Sequence, residues 1–175
     1  MKIIPKSDLE PVWTNTGQRT GCIPVHEPFP HSVLPFMLYE ANAWLGGPAG
    51  RVLVVRSLAG HQPSLDGLLA GLIGFEPVAA MLPFGIRFDV HSYQNMDQLD
   101  EDATTRSEVQ SIIGLLTVCL IGDVSCVLRS TDGTCDIEIH DQSVTFWYST
   151  ASEKTVLIDI LGRYGIDVDR QQARV

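Results

Sequence analysis

A chain of 175 residues that is 45% hydrophobic, with a mean hydropathy of +0.11, can enclose one proper core and is too apolar to stay unfolded. Its formal net charge of −9 argues against nucleic acid as a partner and for either a basic protein surface or a solvated acidic face that only aids solubility. The opening MKIIPKSDLE lacks a signal-peptide pattern, and the longest apolar run, Ile112–Ile121, is broken by Thr117 and falls well short of the ~20 residues of a membrane span, so the expected setting is the cytoplasm.

Met1–Pro30 is punctuated by Pro5, Pro11, Pro24, Pro28 and Pro30, which predicts an extended arm over about residues 1–31, with one short strand around Gly21–Val25. Ser32 can cap a helix that carries Phe36, Met37, Leu38, Ala41, Trp44 and Leu45 and stops at Gly46-Gly47-Pro48. The run Arg51–Ser57 reads as a strand buried on both faces. Ser64 opens a second helical pattern with Leu65, Leu68, Leu69, Leu72 and Ile73, weakened by Gly67 and Gly71. Phe84–Val90 alternates as a strand, and Ser92–Thr104 is polar and acidic. The Thr105/Glu108 spacing of a capping box predicts the start of a helix over about 106–121, apolar all round from Ile112 and therefore central and buried.

The stretch from Asp123 to Tyr164 carries the most consistent local signals. Cys126–Ser130, Cys135–His140 and Ser143–Tyr148 are short β-forming runs, and Asp132-Gly133 and Asp141-Gln142 between them are turns of two residues. These turns set a β-meander over about 123–148. In it Leu128, Ile137 and Phe146 share an inner row, while Arg129, Asp136 and Trp147 share an outer row. Thr150 and Glu153 form a second capping-box spacing and open a helix over about 151–164. Its stripe of Val156, Leu157, Ile160, Leu161 and Tyr164 faces the meander, and Gly165 ends it. With no linker or repeat, residues 1–175 read as a single α+β domain, a mainly antiparallel sheet packed by helices.

No serine-nucleophile elbow, phosphate loop, dinucleotide fingerprint or EF-hand pattern occurs, so neither a catalytic residue nor a cofactor is assigned. Cys22, His26 and His31 form the one compact set of soft ligands; a small metal-dependent protein or enzyme built on them is an alternative, but a fourth ligand is missing. Cys119, Cys126 and Cys135 sit in apolar runs and read, with Cys22, as free thiols.

Charge is unevenly placed. Between Phe88 and Asp141 eleven acidic residues face only Arg106 and Arg129, so this segment carries the entire net charge of −9. Asp100, Glu101 and Asp102 lie within it, and Asp136 and Glu138 fall on the outer face of the meander beside Trp147. An aromatic among carboxylates on an outer sheet face has the composition of a protein-binding anchor. The expected binding set is therefore Asp136, Glu138, Trp147, Asp100, Glu101 and Asp102, unless the N-terminal arm or a helix covers that face. The same face could instead join copies of this chain, which leaves the oligomeric state open.

In size, in the acidic segment Phe88–Asp141, and in the closing strands TCDIEIHDQSVTFWYS with the helix EKTVLIDILGRYG, the chain resembles in general character the small, acidic, single-domain immunity proteins that bacteria make against their own toxins. That resemblance implies a non-catalytic protein that occludes a basic partner such as a cognate toxin domain. It carries no residue roles across.

Overall fold

The computed structural model describes residues 2–4, 8, 19–26, 33–45, 51–58, 84–88, 103–121, 124–130, 135–140 and 143–172. The elements are strands β1 (Lys2–Ile4) and β2 (Gly21–His26), helix α1 (Leu34–Trp44), strands β3 (Arg51–Leu58) and β4 (Phe84–Phe88), and helix α2 (Ala103–Ile121). Strands β5 (Val124–Ser130), β6 (Asp136–His140) and β7 (Ser143–Tyr148) and helices α3 (Ala151–Arg163) and α4 (Val168–Gln172) follow. The strands form one seven-stranded sheet in the order β1-β4-β3-β5-β6-β7-β2. Every neighbouring pair is antiparallel, which gives the expected α+β class.

One cross-strand row explains the sheet's inner face. Ile3, Ile86, Leu53, Leu128, Ile137, Phe146 and Ile23 occupy successive register positions from one edge to the other, and all are apolar. Side chains alternate between faces with a period of two, so this row fixes which side meets the helices. Leu128, Ile137, Phe146 and Ile23 are fully buried there, beneath Leu38 and Ala41 of α1, Ile112 and Leu116 of α2, and Leu157 and Leu161 of α3. The register of the meander is the one the two-residue turns predict: Leu128 pairs with Ile137 and Ile137 with Phe146.

The N-terminal arm differs from its expected role as an extended surface segment. It contributes the two opposite edge strands, β1 and β2, separated by six strand spacings or about 29 Å. At its edge β2 carries Pro24, which has no N–H to offer, and the His26 N–H donates to Gln171 of α4 at 3.3 Å. Both features blunt an edge against pairing with another strand. Gly21 sits where a Cβ would overlap the phenol end of Tyr148, so any larger residue there requires the Tyr148 side chain to shift.

Helix α3 begins as predicted. The Glu153 N–H donates to the Thr150 hydroxyl at 3.2 Å, and the Thr150 N–H donates to the Glu153 carboxylate at 2.8 Å. It closes on Gly165 at φ 75°, with the Ile166 N–H bonded to the Leu161 carbonyl and the Gly165 N–H to that of Gly162, the paired bonds of a Schellman stop. Leu157, Ile160 and Leu161 are buried, but Val156 is 47% exposed and does not belong to the packed stripe. Trp44 ties α1 to this unit: its indole N–H donates to the Glu153 carbonyl at 2.9 Å, and its ring meets Phe146 edge-on at 6.2 Å.

Two expectations for α2 are corrected. The helix starts at Ala103, so Thr105 and Glu108 lie inside it and do not cap it. Nor is it buried on all sides. Ile112, Leu115, Leu116, Cys119 and Leu120 are buried against α1 and the sheet, whereas Gly114 and Ile121 are exposed. Between them, Ile113, Gly114, Thr117 and Val118 line a groove of about 590 Å3 whose other wall is Pro35, Phe36 and Tyr39 of α1. Strand β3 and strand β4 match the predicted runs, while the helical pattern from Ser64 and the cap at Ser32 lie outside the described residues. Among the described residues no helix is long and apolar enough to cross a membrane.

Candidate functional site

Among the described residues, the outer face of the sheet grades from buried to open between β5 and β2. On β5, Ser125, Val127 and Arg129 are buried; on β6, Asp136 is buried, Glu138 half-buried and His140 exposed; on β7 and β2, Ser143, Thr145, Trp147, Cys22, Pro24 and His26 are all half-buried. Accessible outer surface therefore lies toward the β7–β2 edge, with Glu138 and Trp147 at its inner margin.

The predicted outer row is present, Arg129 opposite Asp136 and Asp136 opposite Trp147. Register makes this row a chemical unit. The Arg129 guanidinium donates from Nε to Asp136 Oδ1 at 2.9 Å and from Nη2 to Oδ2 at 3.0 Å, a two-point contact that the planar fork of arginine suits. Arg19, just before β2, donates to the same Oδ2, and its guanidinium lies over the Trp147 ring at 5.1 Å. The indole N–H of Trp147 donates to Glu138 Oε2 at 2.8 Å. Among the described residues, two guanidinium groups and two carboxylates thus gather around one indole, and the formal charges of these four groups cancel.

The sequence-predicted binding residues divide accordingly. Asp136 is only 1% exposed and bound by two arginines, so it holds the face together instead of presenting itself. Glu138 and Trp147 are brought together by their mutual hydrogen bond and remain partly accessible. Asp100, Glu101 and Asp102 lie outside the described residues. Arg19 is the residue sequence reasoning missed. It stands in the polar stretch NTGQRTG with no periodic neighbour, and only the pairing of β2 beside β7 brings it to Trp147. The Arg129/Asp136 half of the contact was legible, because the turn-defined register set opposite charges side by side.

The Cys22/His26/His31 alternative meets a geometric obstacle. Cys22 and His26 share a face of β2 but stand four residues apart on an extended strand, about 13 Å, too far to ligate one ion. His31 lies outside the described residues, and among the described residues no cluster of three or more His, Cys, Asp or Glu side chains has metal-holding geometry. Burial first, and then the charge of Glu138, push the Cys22 thiol above its usual pKa, the opposite of what an activated nucleophile needs. None of the four cysteines forms a disulfide, and Cys119, Cys126 and Cys135 are buried.

Comparison with protein-family models, with curated proteins and with solved structures finds no match for this chain.

Proposed function

We propose that this is a non-catalytic binding protein whose outer sheet face, centred on Trp147 and Glu138, receives a basic protein partner, as toxin-neutralising immunity proteins receive and occlude their targets. The observation that carries the reading is the state of Trp147: a large aromatic, half-buried, its N–H held by a carboxylate, on the side of the sheet facing away from the core. Aromatic residues positioned in this way are where interface energy concentrates. The acidic segment Phe88–Asp141, including Asp100, Glu101 and Asp102, supplies the long-range attraction.

The test is capture of a partner on the immobilised protein, followed by binding kinetics at two salt concentrations. Joint neutralisation of Asp100, Glu101 and Asp102 to their amides should slow association at low salt and leave dissociation unchanged. Trp147→Ala should raise the off-rate at least about tenfold, roughly 1.4 kcal/mol. Wild-type kinetics in both variants would remove this face from the interface. Asp136→Asn is not a suitable probe, since it would disturb a buried ion pair before it reported on binding.

A further inference from the structure

We propose that Arg19 is an internal stand-in for the partner, occupying a site on the outer face that is built for an arginine side chain of the bound protein. The inference rests on the outer face being the binding surface and adds the chemistry that would be recognised there. Three observations converge on it. First, the site already holds a guanidinium in the posture of a ligand: Arg19 donates to a buried carboxylate, Asp136, while its Cζ lies over the Trp147 ring, 5.1 Å from the centroid. Carboxylate pairing plus aromatic stacking is the combination that favours arginine over lysine. Second, Arg19 is not needed to satisfy Asp136, because Arg129 binds both carboxylate oxygens from within the sheet at 2.9 and 3.0 Å. The Arg129 side chain is 8% exposed, whereas that of Arg19 is 21% exposed.

Third, the strand behind Arg19 is pinned by bonds that do not involve its side chain. The chain is pinned one residue later, where the Thr20 N–H donates to the Tyr148 carbonyl at 3.0 Å and the Thr20 hydroxyl to the Ser149 carbonyl at 2.9 Å. Withdrawal of Arg19 changes the summed charge of the two guanidinium groups and two carboxylates at the indole from zero to −1, with Arg129 left against Asp136 and Glu138. An incoming cation restores it. A self-ligand of this kind keeps the acidic site neutral until a partner competes for it and lowers apparent affinity by the fraction of time the site is occupied. Occupancy of about nine-tenths would raise the apparent Kd about tenfold.

The experiment follows the Trp147 indole N–H resonance of nitrogen-15-labelled protein, assigned by its loss in Trp147→Phe, during titration with N-acetyl-arginine amide. In Arg19→Ala the resonance should shift saturably at about one tenth of the concentration needed in wild type. N-acetyl-lysine amide should act more weakly in both. Arg19→Gln, which keeps side-chain bulk, gives the same comparison should the alanine variant fold poorly. Identical titrations in wild type and the Arg19 variants, or an unmoved resonance in both variants, would overturn the proposal, and lysine amide matching arginine amide would overturn the guanidinium assignment. Failure to capture any protein partner while arginine amide still titrates would count against the binding-protein reading and leave the guanidinium site standing.

Discussion

Phe146→Ala should be among the most damaging single substitutions in the protein. Its side chain is fully buried, lies between Ile137 and Ile23 in the inner row, and meets the edge of Trp44 at 6.2 Å. Truncating a buried phenylalanine costs about 3–5 kcal/mol through lost transfer energy and the cavity left behind. Loss of the aromatic pair adds about 0.5–1.5 kcal/mol, and the sheet on one side and three helices on the other leave little freedom to collapse. A loss of about 5 kcal/mol is expected. With a urea slope of about 2 kcal/mol/M, the unfolding midpoint should fall by about 2.5 M at unchanged slope. The neighbouring Trp147→Ala is the internal control: on the other face and half-buried, it should cost only about 1–2 kcal/mol. A Phe146→Ala loss below about 1.5 kcal/mol, or equal large losses at both positions, would refute the assignment of the two faces.

Asp136→Asn should destabilise by about 3–5 kcal/mol in the same titration, because it leaves the buried guanidinium of Arg129 without its charge partner; a loss within about 0.5 kcal/mol would mean the pair is solvated. Thr150→Ala should cost about 1 kcal/mol by removing the acceptor for the Glu153 N–H, read by thermal or urea unfolding, with Thr150→Ser largely restoring it. Burial, the 2.5 Å hydrogen bond to Glu40 and the charge of that carboxylate push the Tyr164 phenol up to about 12. A folded pKa above the unfolded value of 10.0 means a stabilisation fully present below pH 10 and lost as pH rises toward 12, so phenolate absorbance should show one tyrosine titrating late, and Glu40→Gln should bring it earlier.

What could be read from the sequence was whatever local chemistry decides. Read from the sequence as two-residue turns, Asp132-Gly133 and Asp141-Gln142 set the register by counting, which placed Leu128, Ile137 and Phe146 in one row and Arg129, Asp136 and Trp147 in the other, the register the strands have. The Thr150/Glu153 box and Gly165 bound α3 because both ends are satisfied by residues within the same turn. The edge strands were harder. Lys2–Ile4 is three residues long, too short for a period to show, and its partner β4 lies more than eighty residues away. The apolar circumference of α2 predicts burial but not a neighbour for every side, and the face with Gly114 and Val118 opens onto a groove. Thr105 and Glu108 have capping-box spacing without the boundary, since the helix already runs through them from Ala103.

The same division governs the candidate site. Sequence composition locates the whole charge of −9 between Phe88 and Asp141 and so favours an acidic face. The fold neutralises the part of that charge it brings to Trp147, with Arg129 arriving from the adjacent strand and Arg19 from the other side of the indole. If the face binds a partner as proposed, long-range attraction and close contact would fall to different residues. Attraction depends on charges that remain exposed and is screened over about 8 Å at physiological ionic strength. On the proposed reading, contact would depend on what can replace Arg19 against Asp136 and Trp147 once a partner has arrived. A partner rich in lysine would be drawn toward such a protein, but one that can place an arginine over Trp147 would hold on, because a planar guanidinium suits both a carboxylate and an aromatic face. Selectivity on this face would come from the displacement step, and the acidic charge would set how often that step is attempted.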